Sequence, residues 1–92
     1  MGDRKLTLAI TPNPARGKTS IAYTLPKPGN VSLKLYDVAG KLISTLVDGY
    51  HPAGSYRSQL AAKSLHQKLA AGIYVIRLDS DRYHTAEKLV IE

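Results

Sequence analysis

The sequence predicts an all-β domain with an immunoglobulin-like β-sandwich of about seven antiparallel strands in two sheets. Three observations predict this fold. Apolar residues recur at every second position, clusters of Gly, Pro, Asn and Asp separate the alternating segments, and the segments are short and evenly spaced. A chain of 92 residues suits one domain with its own core. We therefore expect residues 1–92 to form a single domain, with Met1–Asp3 added ahead of the natural sequence.

The first three predicted strands alternate apolar and polar residues. The first spans Leu6–Ile10 and stops at Thr11–Pro14, where two prolines cannot donate to a ladder. The second spans Ile21–Leu25 and ends at the turn residues of Pro26–Asn30. The third spans Val31–Asp37, and its alternation indicates a half-buried strand.

The third and fourth predicted strands form the clearest hairpin in the chain. Asp37–Gly40 has turn composition, and Gly40 is suited to a positive φ. Lys41–Val47 then returns as the fourth strand. Two further turn sequences, Asp48–Gly49 and Pro52–Gly54, predict loops after it.

The remaining strands are less uniform. A weaker strand spans Tyr56–Leu60, and Ile73–Leu78 is nearly continuous apolar, which predicts a strand covered on both faces. Asp79–Asp81 is the predicted turn before the last strand, Tyr83–Ile91. Between them, Ala61–Ala71 is rich in Ala, Lys, Gln and Leu, which predicts a crossover between the sheets, a short helical turn or a protruding docking helix.

Composition excludes several classes of site. The absence of cysteine excludes disulfides, thiolate metal sites and a cysteine nucleophile, and a domain this small without disulfides favours a bacterial source. The net charge of +6 suggests an anionic partner, but the basic residues form no run and no aromatic residues interleave with them, so we expect no nucleic-acid partner. No segment has the apolar length of a membrane span or the core of a signal peptide.

No motif predicts catalysis, a cofactor or a metal. Gly17–Thr19 resembles the end of a phosphate-binding loop, but Pro12 stands where that loop requires glycine, and a strand follows instead of a helix. The three histidines are too far apart in sequence for metal-ligand spacing. Asp79 and Asp81 could contribute to a weak calcium site or simply cap turn amides. No Gly-x-Ser-x-Gly nucleophile elbow is present, and we expect no enzyme activity.

The tyrosines have several open roles. Tyr74, directly after Gly72–Ile73, is either a tyrosine corner whose hydroxyl bonds back to the preceding loop or an ordinary core residue. Alternation places Tyr23 and Tyr56 inward. The tyrosines that remain as a possible sugar-binding platform are Tyr36, Tyr50 and Tyr83.

Four segments in order resemble the C-terminal sorting domain of the bacterial type IX secretion system and the related immunoglobulin-like module of flagellar hook-capping protein. These segments are Pro12–Pro14, Leu35–Lys41, Gly72–Tyr74 and Lys88–Ile91. With the intervening turns, the resemblance extends from residue 8 to residue 92. Two features depart from the family pattern: residue 60 is leucine where an aromatic is common, and the stretch from 61 to 71 is longer than usual.

The resemblance implies a non-catalytic sorting signal that needs no cofactor. Its partners would be the outer-membrane secretion machinery, a sortase and a cargo domain covalently linked upstream. The protein would pass through the periplasm to the cell surface or the medium. The chain ends directly after its last predicted strand, as expected of a C-terminal module. The alternatives are a structural spacer or assembly module and a carbohydrate-binding module of a multidomain surface protein.

The candidate recognition residues belong to one loop and the last hairpin. Lys88 could pair with an acidic receptor group or act as an edge-strand lysine that blocks strand addition. The Pro12–Pro14 segment is either a contact or a rigid strand stop. The full set is Pro12, Asn13, Pro14, Gly72, Tyr74, Lys88, Leu89, Val90, Ile91 and Glu92.

Overall fold

The computed structural model describes residues 6–61, 69–81 and 83–92, which contain seven strands. They are β1 (Thr7–Thr11), β2 (Lys18–Leu25), β3 (Gly29–Asp37), β4 (Leu42–His51), β5 (Gly54–Ala61), β6 (Gly72–Ser80) and β7 (Tyr83–Ile91). One sheet has the order β1-β2-β5 and the other β4-β3-β6-β7, with every neighbouring pair antiparallel. The predicted immunoglobulin-like sandwich is confirmed.

Alternation along the central strands builds the core between the two sheets. Every second side chain of β2, β3 and β6 points inward, while its neighbours face outward. Leu33 is 0% exposed and pairs across β3 with Val47 on one side and Leu78 on the other. Burying a leucine of this kind contributes about 1.5–3 kcal/mol relative to exposing it.

An aromatic cluster joins β2 and β5 to the end of β4 and the connection that follows it. The rings of Tyr23 and Tyr56 stack at 5.4 Å, and the ring of His51 meets Tyr56 edge-on at 4.9 Å. The Tyr56 hydroxyl donates to the carbonyl of Pro52 at 2.6 Å. Burial raises the pKa of Tyr23, and the neighbouring Tyr56 raises that pKa further. Both tyrosines pack against the core, as predicted.

The β3–β4 turn has the predicted hairpin geometry. The Asp37 carboxylate oxygen Oδ1 accepts hydrogen bonds from the backbone amides of Ala39 and Lys41, both at 2.9 Å. Gly40 adopts φ +86° and its amide donates to the Asp37 carbonyl at 3.0 Å. A residue with a Cβ would be strained at that φ, so the glycine is required by the turn.

The prediction of a loop at Asp48–Gly49 is wrong. β4 continues through both residues to His51, and Asp48 pairs with Ser32 of β3. Because β3 pairs with β4 in an unbroken register over residues 29–33, strand pairing overrides the local turn preference of the Asp-Gly sequence. Only the two residues 52 and 53 separate β4 from β5.

β6 is covered on one face, not on both as predicted. Tyr74, Ile76 and Leu78 are buried, whereas Ile73 is 47% exposed and Arg77 is exposed. In the described part of the chain no further layer lies over the outer face of the four-stranded sheet. Although the sequence of β6 is nearly continuous apolar, its side chains alternate between a buried and a more exposed face.

The turn predicted at Asp79–Asp81 begins later than expected. Asp79 and Ser80 still belong to β6, and the chain turns at Asp81, which has φ +53°. Among the described residues, Asp79 caps no turn amide. Its carboxylate oxygen Oδ1 accepts from Arg77 Nε at 3.1 Å and lies 3.1 Å from His84 Nδ1. The carboxylate thus joins neighbouring side chains of β6 and β7.

Several predictions fall outside the described residues. The crossover or helical turn expected over 61–71 involves residues 62–68, and neither Met1–Asp3 nor His66 is described. Leu69, just after that gap, is buried against the core. Within the described ranges, no helix is long and apolar enough to cross a membrane.

Candidate functional site

The side chain of Asn13 joins the first loop to the last strand. Its Nδ2 donates to the carbonyl of Lys88 at 2.7 Å, and its Oδ1 accepts from the amide of Val90 at 3.0 Å. A side-chain amide carries the same donor and acceptor as a peptide group. Asn13 therefore pairs with the outer edge of β7 as one residue of an additional strand would.

Ala15 continues this pairing along the same edge. Its amide donates to the Val90 carbonyl and its carbonyl accepts from the Glu92 amide, both at 2.8 Å. The two chain segments form a parallel bridge between Ala15 and Ile91. The outer backbone edge of β7 is thus occupied over residues 88–92, although β7 is the terminal strand of its sheet.

The loop is also fixed to β2. The hydroxyl of Thr19 donates to the carbonyl of Pro12 at 2.8 Å, and Thr19 is buried. An ion pair joins Arg16 Nε to Glu92 Oε1 at 3.2 Å, but both side chains are largely exposed, so solvent screens it and its contribution is small. The neutral backbone and amide hydrogen bonds hold the loop in place.

Tyr74 is a tyrosine corner. Its hydroxyl donates to the carbonyl of Ala70 at 2.7 Å, and the ring lies in the core. The residue therefore combines both roles that the sequence left open. By holding the segment before β6, it also fixes the position of Gly72, which pairs with Ile91 in the neighbouring strand.

The structure brings the ten predicted recognition residues together at one edge of the sandwich. The Pro12–Pro14 loop contacts the end of β7, and the start of β6 pairs with the same stretch of β7. Within this cluster the side chains differ in access. Leu89, Ile91 and Tyr74 lie in the core, and the exposed members are Pro12, Asn13, Pro14, Lys88 and Glu92.

The geometry bears on the two roles considered for Lys88. A lysine that blocks strand addition is useful where the backbone edge is open. At Lys88 the carbonyl already binds Asn13, and the edge beyond it binds Ala15. Within the described residues, the Lys88 ammonium has no carboxylate partner. The backbone edge that such a lysine would protect is therefore already occupied.

Sequence reasoning missed Ala15 and Arg16, which contact the end of β7. A small apolar residue after Pro14 carries no local signal for a bridge to a strand more than 70 residues away. The exposed apolar residues Val38 and Ile73 were missed as well, because alternation shows which face a residue occupies but not whether another layer covers it.

Asp79 and His51 contact neighbouring side chains of the fold. Among the described residues, no three His, Asp or Glu side chains lie close enough to hold a metal ion. Asp79, one of the two residues considered for calcium, is bound to Arg77 and His84. His51 is half-buried against Tyr56.

The three tyrosines considered for sugar binding do not lie side by side. Tyr50 pairs with Asn30, and Asn30 lies about 20 Å along β3 from Tyr36. Tyr83 packs against the core. An aromatic platform needs rings side by side, and these positions do not supply it.

Comparison with known proteins identifies relatives in sequence and in fold. A family model described as a secretion system C-terminal sorting domain matches residues 9–92. The crystal structure of dimeric latent PorU from Porphyromonas gingivalis contains a similar domain, with a TM-score of 0.69 and 21% sequence identity. That similarity covers 94% of this chain and 9% of the PorU chain, so it concerns a small part of a much longer protein and shows the fold alone. No curated protein sequence matches significantly.

Proposed function

Because the chain belongs to the family of secretion system C-terminal sorting domains, we propose that residues 1–92 form one folded unit. The secretion machinery recognises the end of this unit that is formed by the Pro12–Pro14 loop and β7. The family match confirms the resemblance predicted from the sequence. The domain is a sorting signal of the type IX secretion system, whose cargo is exported to the cell surface or secreted. The match over residues 9–92 is the observation that carries this conclusion.

In the proposed route the domain remains attached to a cargo upstream and crosses the periplasm folded. The outer-membrane machinery binds the sandwich, the cargo passes outside, and a sortase cleaves ahead of the domain. The domain performs no chemistry of its own. Its family consists of sorting signals, which supports a role in recognition rather than catalysis.

Recognition in this proposal uses the exposed members of the cluster at the end of β7. Lys88 and Glu92 provide charges, and the Pro12–Pro14 loop provides a rigid neighbouring surface. Leu89, Ile91 and Tyr74 act from the core by holding those groups in position. The hydrogen bonds of Asn13 support this division, because they fix the loop relative to the backbone that carries Lys88.

A reporter fusion tests the function. The chain is joined behind a periplasmic reporter protein and expressed in a host with an active type IX system and in a matched strain without it. We expect the reporter outside the cell only in the first strain. Equal distribution of the reporter in the two strains would show that the chain is not a sorting signal for this system.

Two lysine variants test the recognition surface in the same assay. Lys88→Ala removes a charge from the end of β7, whereas Lys27→Ala removes the same charge from an exposed position between β2 and β3, at the other end of the sandwich. We expect Lys88→Ala to reduce export roughly tenfold, which corresponds to about 1.4 kcal/mol of lost binding. Equal export of the two variants would exclude Lys88 from recognition.

A further inference from the structure

The two sheets present different outer faces to solvent. Small side chains such as Ala9, Ala22 and Thr24 line a shallow depression on the outer face of the three-stranded sheet. The large apolar side chains that are exposed in the described ranges all lie on the four-stranded sheet or its β3–β4 turn. They are Val38 (73% exposed), Leu42 (46%), Tyr50 (67%) and Ile73 (47%).

Strand register places most of these side chains at one end of the four-stranded sheet. Tyr36 pairs with Leu42 on one side and with Val75 on the other, and paired residues project toward the same face. Ile73 lies two residues before Val75 on β6 and therefore shares that face. We call Tyr36, Val38, Leu42, Ile73 and Val75 the apolar strip. Tyr50 lies on the same sheet at its opposite end.

Val38 occupies the centre of this surface. It borders one shallow groove of about 380 Å³, with Tyr36 and Val75, and a second of about 490 Å³, with Gly72 and Ile73. The turn that carries Val38 is fixed by the Asp37 side chain. A rigid apolar side chain between two grooves is a shape that a partner surface can enclose on both sides.

Two lysines border the apolar strip. Lys88 pairs with Val75 and shares its face, and Lys34 lies two residues before Tyr36 on β3. Among the described residues, neither lysine has a carboxylate within ion-pair distance. Arg77, on the same face, is instead bound to Asp79. Asp37 also lines both grooves, but its Oδ1 already accepts hydrogen bonds from two turn amides. The charges beside the strip that make no ion pair or turn hydrogen bond among the described residues are those of Lys34 and Lys88.

We propose that the apolar strip, bordered by Lys34 and Lys88, is the docking surface for a receptor protein of the secretion machinery that presents apolar side chains flanked by carboxylates. This inference rests on the proposed function and names the partner's chemistry. A polar saccharide or lipid headgroup would match the lysines but not the apolar side chains between them. A protein surface supplies both kinds of group in one place.

Charged substitutions on exposed apolar residues test the proposal in the reporter assay. Val38→Asp and Ile73→Asp place a carboxylate within the strip. This carboxylate repels the partner's acidic groups and cannot make the apolar contacts of the original side chain. Tyr50→Asp makes a comparable change at the other end of the sheet. We expect export to fall roughly tenfold or more for the first two variants, the effect of at least about 1.4 kcal/mol, and to stay at the wild-type level for the third.

Folding is checked separately by urea unfolding of the three purified variants, and the comparison uses variants whose unfolding midpoints agree. Val38→Asp is the decisive one, because Val38 is the most exposed of the set and its loss should not disturb the core. If folded Val38→Asp and Ile73→Asp are exported as efficiently as the wild type, the docking surface is wrong and the sorting function still stands. If the wild-type fusion itself is not exported, the proposed function fails.

A reversed-charge variant and a membrane control test the class of partner. Lys34→Glu combined with Lys88→Glu should lower export further than either single change, because both lysines border the same strip. The purified chain is also mixed with vesicles of phosphatidylethanolamine and phosphatidylglycerol and sedimented. We expect it to stay in solution. Sedimentation of the wild type but not of Val38→Asp would assign the strip to a lipid surface and overturn the proposal.

Discussion

Replacing Asn13 by alanine should loosen the end of β7 while leaving the rest of the sandwich intact. The change removes the two hydrogen bonds from the Asn13 amide to Lys88 and Val90. A typical intramolecular hydrogen bond contributes about 0.5–1.5 kcal/mol net, so the two together are worth about 1–3 kcal/mol. Because Asn13 is exposed and water can replace its amide, we expect a loss of about 1–1.5 kcal/mol in the free energy of unfolding.

Urea unfolding measures the global loss, and amide hydrogen exchange locates it. The Val90 amide loses its acceptor in Asn13→Ala, and its exchange should become roughly tenfold faster for each 1.4 kcal/mol lost. The Glu92 amide, which donates to Ala15, should change less. The Val31 amide, in the central strand β3 and remote from the loop, should accelerate only by the global loss that urea unfolding measures.

Asn13→Asp separates the two hydrogen bonds. It keeps an acceptor for the Val90 amide but places a carboxylate oxygen where the Asn13 amide donates to Lys88. At neutral pH it should be at least as destabilising as Asn13→Ala, and it should recover below about pH 4, where the carboxyl becomes a donor. Unchanged exchange at Val90 in both variants would refute the view that Asn13 holds the terminal strand.

Three further predictions concern groups elsewhere in the fold. Tyr74→Phe leaves the Ala70 carbonyl without its donor and should lower the free energy of unfolding by about 1–2 kcal/mol in urea, while the control Tyr50→Phe should change nothing measurable. Because burial raises the pKa of Tyr23, folding stability should hold below about pH 10 and fall as the pH rises through the folded-state pKa. Tyr23→Phe should remove that alkaline decline, and its persistence in the variant would assign it elsewhere. Asp37→Ala should cost about 1–2 kcal/mol by uncapping two turn amides, whereas Asp37→Asn keeps the acceptor and should cost less; equal losses would show that the cap is not the cause.

The fold was largely predictable because local sequence patterns indicate its strands and turns. The alternation at Val31–Asp37 and the turn at Gly40 place a hairpin without knowledge of any distant residue, and both were confirmed. The predictions were wrong where strand pairing, or coverage by another layer, decides the structure. Asp48 lies in a strand because β3 extends beside it, and Ile73 is exposed because nothing in the described chain covers that face.

The contacts at the site could be predicted only in part. The resemblance singled out Asn13 and Lys88, but nothing local indicates that the Asn13 amide binds a backbone carbonyl 75 positions away. Such a contact depends on how the two sheets close against each other. The sequence likewise marked Val38 only as a turn residue, and its place between two grooves follows from the position of β6.

Competition between two copies of the domain tests most directly whether the secretion machinery recognises the folded sandwich. The free chain is expressed in excess in a host that exports the reporter fusion, alongside a matched strain expressing free Leu33→Asp at the same level. Leu33 is 0% exposed, and an unpaired charge there costs several kcal/mol. The free energy of unfolding expected for a domain of this size is about 5–14 kcal/mol in total. The variant nevertheless retains every exposed recognition residue. We predict that the wild-type chain slows export of the reporter and that Leu33→Asp does not. Equal slowing by both chains would show that a linear segment is sufficient and would contradict recognition of the folded surface.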